Sequence, residues 1–118
     1  MTVRAYLPTT IAVLAEQYEQ GAFVVSDDVV VLASAADDEE AEYDALMTAA
    51  AVSAALVAGA GRRVVVVAEL DRSPETGWTV PLKRVVAVHA DTEDRPADAD
   101  PDGDLGWFAT QEIPQLLT

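Results

Sequence analysis

The stretch "RRVVVVAEL", residues 62–70, decides the fold. Its four consecutive valines and Ala68 form an apolar run that does not alternate with polar residues. A strand with one solvated face alternates, so an unbroken run is typical of a strand covered on both faces. We therefore predict a central strand here, and we interpret the rest of the chain by how it covers that strand.

One strand pattern and two helix patterns precede this run. "TVRAYLP", residues 2–8, alternates like a strand that ends at Pro8. "TTIAVLAEQYEQG", residues 9–21, has apolar residues at helical spacing between a threonine N-cap and a glycine C-cap. "DDEEAEYDALMTAAAVSAALVAG", residues 37–59, predicts a long helix whose first-turn carboxylates suit the helix dipole.

The segment between these two helices has two interpretations. In "FVVSDDVVVLA", residues 23–33, the motif "SDD" is either a hairpin turn between two strands or the start of a helix capped by Ser26. Valine has poor helix propensity, so the run after Asp28 favours a strand.

The C-terminal part returns to strand patterns. "WTVPLKRVVAVHAD", residues 78–91, predicts one or two strands interrupted by Pro81. Residues 91–104 are rich in Asp, Ala and Pro and predict an acidic surface loop. "GWFATQEIPQLLT", residues 106–118, predicts an edge strand and a terminal helical turn, docked because its apolar side chains are costly to expose.

The order of these elements predicts an α/β (α+β) fold over a single domain, residues 1–118. Right-handed crossovers between parallel strands would give a two-layer sandwich, with a mixed β-sheet and the two main helices packed on one face. A hairpin within residues 23–33 would instead favour a ferredoxin-like plait.

The chain is strongly acidic, which excludes several partners. It has 21 Asp and Glu against 7 Lys and Arg, a formal charge of −14. This charge repels phosphate backbones and anionic lipids, so we expect neither nucleic acid nor membrane as a partner. Because no apolar run approaches about 20 residues and no signal-peptide pattern is evident, we expect a cytoplasmic protein.

His89 is the only histidine, and the chain has no cysteine. Alternation places His89 on the same strand face as Val85 and Ala87, near the end of an apolar strand. The residue types that would form a nucleophile and base pair do not occur in a recognised motif, so we favour a structural histidine over a ligand contact and do not expect an enzyme.

The motif "DADPDGD", residues 98–104, resembles the first half of a calcium loop. Asp98, Asp100 and Asp102 alternate before a glycine, and Asp104 follows. The twelfth position holds Ala109 rather than a bidentate carboxylate. A solvated linker is therefore the favoured interpretation, and a weak calcium site is the alternative.

A further candidate site is the edge where parallel strands would end. Polar side chains would gather there: Thr9, Thr10, Ser26, Asp27, Asp28, Glu69 and Asp71. Thr9 and Ser26 would contact a ligand, and the carboxylates Asp27 and Asp28 would hold a divalent cation. Helix caps and turns explain the same residues without a ligand. Arg4, Arg62 and Arg63 would lie at the opposite edge.

Several blocks in order resemble a known family. They are "VRAYLPTTIAVLA" (3–15), "EEAEYDALMTAAAVS" (39–53), "RRVVVVAEL", "VPLKRVVAVHAD" (80–91) and "WFATQEIPQLL" (107–117). Together they resemble a family of small uncharacterised actinobacterial proteins. The resemblance implies a cytoplasmic domain of unknown function, without assigned catalytic residues.

Two functions follow as hypotheses. The first is a non-enzymatic binding or interaction module that needs no cofactor and contacts an unknown protein partner or a second copy of itself in a homodimer. The alternative is a small metal-assisted enzyme, in which Asp27 or Asp28 shares a cation with Glu69 or Asp71.

Overall fold

The structure, a computed structural model, describes residues 2–33, 39–96, 98–100 and 103–117. These residues form seven strands and three α-helices: β1 Val3–Thr9, α1 Ile11–Gln20, β2 Ala22–Val24, β3 Val30–Ala33, α2 Glu39–Val57, β4 Val64–Leu70, β5 Thr79–Pro81, β6 Val85–Ala90, β7 Gly106–Phe108 and α3 Ile113–Leu116. Short 3-10 turns at Leu82–Arg84 and Thr110–Glu112 lead into β6 and α3.

The main sheet has five strands in the order β3-β1-β4-β6-β7. β4 lies at its centre and pairs with β1 on one side and β6 on the other. The four valines of β4, Val64 to Val67, are at most 4% exposed. The prediction of a central strand at this run is therefore confirmed, as is the α/β class.

The strand directions differ from the predicted mixed sheet. Every neighbouring pair in the main sheet is antiparallel. The crossover rule constrains only parallel strands, so it does not apply to β1 and β4, and the inference that both helices lie on one face loses its basis.

The two long helices in fact cover opposite faces of the main sheet. Along β4, Val64 and Val66 pack in the cluster that contains Leu14 of α1, together with residues of α3. The alternate residues Val65 and Val67 pack against alanines of α2. The predicted two layers are therefore three, with the two-stranded β2-β5 sheet on the α1 side.

The ambiguous segment 23–33 forms strands, but not a hairpin. β2 pairs with β5 in the small sheet, whereas β3 pairs with β1 in the main sheet. The chain turns between them, where the Val29 amide donates to the Ser26 carbonyl over 3.3 Å. The strand interpretation is confirmed, and the hairpin on which a ferredoxin-like plait depended is absent from this segment.

Helix α2 approaches the sheet closely because its buried positions are small. Ala45, Ala49, Ala50 and Ser53 are buried. The Ser53 hydroxyl donates to the Thr9 carbonyl over 2.6 Å and accepts from the Val64 amide over 2.8 Å. One helical side chain thus joins the end of β1 to the start of β4.

β1 is only partly covered along one edge. β3 pairs with it from Val3 to Tyr6, whereas β4 pairs with it as far as Thr9. Pro8 lies in the uncovered part, and β1 continues past it to Thr9, so the prediction that the strand ends at Pro8 is wrong. Proline is tolerated there because an uncovered edge does not need its missing N–H group.

The C-terminal segment docks on the domain as predicted. β7 adds to the sheet edge beside β6. Ile113 is fully buried and Leu116 is 4% exposed. Thr110 fixes the approach by donating to the Val85 carbonyl over 2.8 Å.

Within the described ranges, none of the helices combines the length and the apolar composition needed to cross a bilayer.

Candidate functional site

A groove of about 480 Å³ opens on the α2 side of the main sheet. We call it the aromatic groove and define it by Arg4, Tyr6, Glu39, Glu42, Tyr43, His89 and Trp107. These side chains come from β1, α2, β6 and β7, so the groove exists only once the sheet and helix have assembled.

A β-bulge in β6 places His89 and Val85 on different faces of the sheet. Val67 lies opposite Ala87, but Ala68 lies opposite Val85, which leaves Val86 as an extra residue in β6. Val85 therefore packs on the α1 side, whereas Ala87 packs on the α2 side. The prediction that His89 shares a face with both residues is wrong for Val85, because the bulge interrupts the alternation.

The His89 imidazole is half-buried, which favours its neutral form. Burial lowers the pKa of His89 below its ordinary value. No hydrogen bond joins the ring to another residue in the described part of the chain. A neutral imidazole carries one donor and one acceptor, so both are available to a molecule in the groove.

The groove has one buried and two exposed aromatic walls. Tyr6 is 3% exposed, and burial raises the pKa of its phenol, which lies beside the Arg4 guanidinium. Tyr43 is 48% exposed and Trp107 is 61% exposed. Trp107 lies opposite His89 in the β6–β7 pair. Two large rings at the mouth of one groove offer a contact surface to a partner.

The charges of the groove are predominantly acidic. Arg4 donates to Glu69 over 2.8 Å and to Glu42 over 2.9 Å. The hydrogen bond to Glu69 is the main reason that the pKa of Arg4 is raised. Because this guanidinium is already matched by two carboxylates, Glu39 leaves the groove with an excess of negative charge.

A second cleft, of about 490 Å³, lies at the uncovered edge of β1. We call it the Thr9 cleft. It unites four of the predicted polar residues, Thr9, Thr10, Ser26 and Asp28. Thr10 is the N-cap of α1 and accepts from the Val13 amide over 3.2 Å, as a threonine cap at this position predicted.

Thr9 differs from the other polar residues of the cleft. It is 7% exposed, and its hydroxyl makes no hydrogen bond with any residue that the structure describes. The Ser26 hydroxyl, in contrast, accepts from the Asp28 amide over 3.4 Å. A buried hydroxyl without a partner is unfavourable and therefore unusual.

The predicted acidic rim does not form, because β1 and β4 are antiparallel. Glu69 pairs with Arg4 at one end of the sheet, whereas Thr9 lies about five residues away, or roughly 17 Å along the strand. Asp71 pairs with Arg84 over 3.1 Å. Asp27 accepts from the Thr76 hydroxyl over 2.7 Å.

The same strand directions separate the three arginines that were predicted to share an edge. Arg4 lies near the start of β1, whereas Arg62 and Arg63 precede β4, whose first residue lies opposite Thr9. Arg4 therefore lies at one end of the sheet, and Arg62 and Arg63 lie at the other.

Arg63 and Asp91 form a buried ion pair that the sequence did not predict. Asp91 accepts hydrogen bonds from the Arg63 amide, Nε and Nη2 over 2.8, 2.9 and 2.8 Å. Burial opposes ionisation of Asp91, but the hydrogen bonds and charge of Arg63 outweigh it and lower the pKa of Asp91. The register sets Val64 opposite Ala90 and so brings the neighbouring residues Arg63 and Asp91 together. The sequence does not show this register.

Two arginines donate hydrogen bonds to backbone carbonyls of the acidic loop. Arg63 donates to the Gly103 carbonyl over 2.8 Å, and Arg95 donates to the Asp100 carbonyl. Asp98, Asp100 and Asp104 are exposed, and Asp102 lies outside the described residues. The described residues contain no group of three or more His, Asp or Glu side chains placed to hold a metal ion.

Comparisons with known proteins bear on the predicted resemblance. No curated protein and no solved structure matches the chain. A protein-family model, in contrast, matches residues 3–117, almost the whole sequence. The chain therefore belongs to a family of unknown function, DUF6912.

Proposed function

We propose that this protein is a non-enzymatic binding module, and that its aromatic groove receives a Lys or Arg side chain of a partner protein. The observation that carries the proposal is the exposed ring of Trp107, 61% accessible, in a groove that also presents Tyr43 and two carboxylates.

The aromatic rings supply the first part of the argument. A cation over the face of an indole or phenol is attracted by the ring quadrupole, and tryptophan is the strongest partner. Trp107 and Tyr43 both line the groove and leave about half or more of their surface accessible. Exposed tryptophan and tyrosine are also the side chains that most often dominate protein interfaces.

The charges supply the second part. Glu39 and Glu42 line the groove, and Arg4 is the one Lys or Arg side chain among its described lining residues. The whole chain carries a formal charge of −14, which attracts basic partners and accelerates their association. Both the local and the global charge therefore favour a cation.

The described lining of the groove lacks the serine, threonine or cysteine of a nucleophile–histidine pair. His89 therefore has no serine, threonine or cysteine in the described lining to activate, and its neutral ring instead supplies a hydrogen-bond acceptor for a cationic group. This composition supports binding rather than covalent catalysis.

Tryptophan fluorescence tests the proposal with a capped tetra-arginine peptide as the probe. The chain has two tryptophans, so Trp78→Phe leaves Trp107 as the reporter, and Trp107→Phe leaves Trp78. We expect a saturable change from the Trp107 reporter that added salt weakens. We expect no change from Trp78, which stacks on Arg72 at 4.9 Å.

A pair of charge variants separates the groove from the general field of the protein. Glu39→Gln should weaken binding by about two- to fivefold. Glu16→Gln removes the same charge from the exposed face of α1 and should have a smaller effect. Equal responses from both tryptophans, or equal effects of both glutamate variants, would contradict the proposal.

The oligomeric state decides whether the partner is a second copy of the chain. Light scattering that shows a dimer dispersed by Trp107→Ala would assign the groove to self-association instead of a separate basic partner. The cytoplasmic location stays a prediction.

A further inference from the structure

We propose that the Thr9 cleft is a second binding site, which takes a small, uncharged, mainly apolar molecule that carries a hydroxyl group. The site lies at the uncovered edge of β1 and shares none of its described lining residues with the aromatic groove. The inference is therefore independent of the function proposed above.

The shape of the cleft fits a small molecule. Its volume, about 490 Å³, falls within the range of about 300–1,000 Å³ that is typical of small-molecule sites. Leu7, Phe23 and Val66 are buried residues of the core that also line the cleft. Around them stand Val13, Val24 and Leu56, which are 39%, 48% and 52% exposed. A bound apolar molecule would cover these exposed side chains.

The Thr9 hydroxyl identifies the polar group of the ligand. It is a buried donor and acceptor that no described residue satisfies. A hydroxyl group of the ligand satisfies it, since each hydroxyl can donate to or accept from the other. Apart from Asp28, the other polar side chains that line the cleft are neutral: Thr10, Gln17 and Ser26.

The charge of the cleft excludes anionic ligands. Asp28 is the single charged side chain among the described residues that line it. With no lysine or arginine in that lining and a chain charge of −14, a carboxylate or phosphate group would be repelled.

The backbone argues against a peptide strand as the occupant. The open edge of β1 beyond Tyr6 includes Pro8, which has no N–H group to donate to an added strand. Main-chain hydrogen bonds provide the affinity in strand addition, so this edge favours a small molecule.

Nuclear magnetic resonance of the ¹⁵N-labelled protein tests the site with three probes of equal chain length: hexan-1-ol, hexanoate and hexylamine. We expect hexan-1-ol to cause saturable amide shifts at Thr9, Thr10 and Leu56, and none at His89 or Trp107. Hexanoate should bind at least about tenfold more weakly, because Asp28 and the chain charge repel it.

Thr9→Val removes the hydroxyl and keeps the shape of the side chain. It should weaken hexan-1-ol binding by about fivefold and raise the Tm of the free protein by roughly 4 °C, because a buried group without a partner is lost. Leu56→Ser, at an exposed helical position, should also weaken binding. Thr48→Val, on an exposed part of α2, is the matched control and should change neither property.

Three results would overturn the proposal. They are shifts that do not saturate with hexan-1-ol, a Thr9→Val protein that binds it as tightly as the original, and tighter binding of hexanoate or hexylamine than of the alcohol. The last result would assign the cleft to a charged ligand.

Discussion

At the scale of single residues, the Asp91 carboxylate has the largest predicted effect on stability. Asp91 and Arg63 are 6% and 3% exposed, so removing one leaves the other buried without its partner. We expect Asp91→Ala to lower the free energy of unfolding by about 3–5 kcal/mol. Thermal melting should show a Tm at least roughly 12 °C lower.

Asp71→Ala is the matched control for this prediction. It breaks an ion pair with Arg84 in which the side chains are 75% and 41% exposed. An exposed pair contributes at most about 1 kcal/mol, so Tm should change by less than roughly 4 °C. Similar losses in the two variants would show that the Asp91 pair is not specially stabilising.

His89 gives the stability a dependence on pH. Because burial lowers its pKa in the folded protein, the unfolded chain binds a proton more readily. Its contribution is complete above about pH 6.5 and is lost as the pH falls below that value. We expect urea unfolding at pH 7 and pH 5 to show a smaller loss of stability in His89→Gln than in the original protein.

Both proteins in this comparison keep the other titratable groups of the aromatic groove: Arg4, Tyr6, Glu39, Glu42 and Tyr43. The difference between them therefore isolates the imidazole. Parallel losses from pH 7 to pH 5 would show that His89 does not titrate differently in the folded and unfolded states. Asp91, whose pKa is also lowered, adds a loss only at more acidic pH, below about 3.8.

At the scale of elements, the C-terminal segment is a structural part of the domain. A chain that ends at Gly103 loses β7 and α3, including the buried Ile113 and Leu116. Burial of each side chain contributes roughly 1.5–3 kcal/mol. We expect the truncated protein to melt more than roughly 4 °C below the full chain. A melt within about 2 °C of it would contradict this prediction, and Gln111→Ala, at an exposed position, is the control.

The elements themselves were largely predictable, because their signals are local. The helical spacing of residues 9–21 and the valine run of β4 each predict the observed element. Strand partners are not local. β3 and its partner β1 are more than twenty positions apart in the chain. The valines of β3 do not indicate which strand it pairs with. The mixed sheet was wrong for this reason.

The candidate site was predictable only in part. Composition alone singled out His89, and the caps singled out Thr9 and Ser26. Which side chains lie beside each of these residues depends on tertiary structure. Trp107 meets His89 through the β6–β7 register, and the bulge at Val86 changes which side chains share its face. A bulge residue such as Val86 cannot be recognised from the pattern of apolar residues along the strand.

At the scale of the whole molecule, the sheet separates two chemistries. The α2 side carries the acidic aromatic groove, and the uncovered edge of β1 carries the mainly apolar Thr9 cleft. Buried valines of β4 lie between them and point alternately to the two sides. Glu39 begins α2, whereas Thr9 accepts a hydrogen bond from Ser53, fourteen residues or about 21 Å further along that helix. We therefore expect the effects of substitutions at Glu39 and Thr9 on binding to add.

The contacts of Arg63 have a consequence for the acidic loop. One guanidinium holds Asp91 where the loop begins and the Gly103 carbonyl near where it ends. The two ends are thus fixed by the domain, and the entropy of closing such a loop rises only slowly with its length. Backbone hydrogen bonds between Arg95 and Gly61 hold part of this segment, whereas Glu93 before them is exposed. Glu93 is therefore a permissive place to insert foreign sequence, such as an epitope tag.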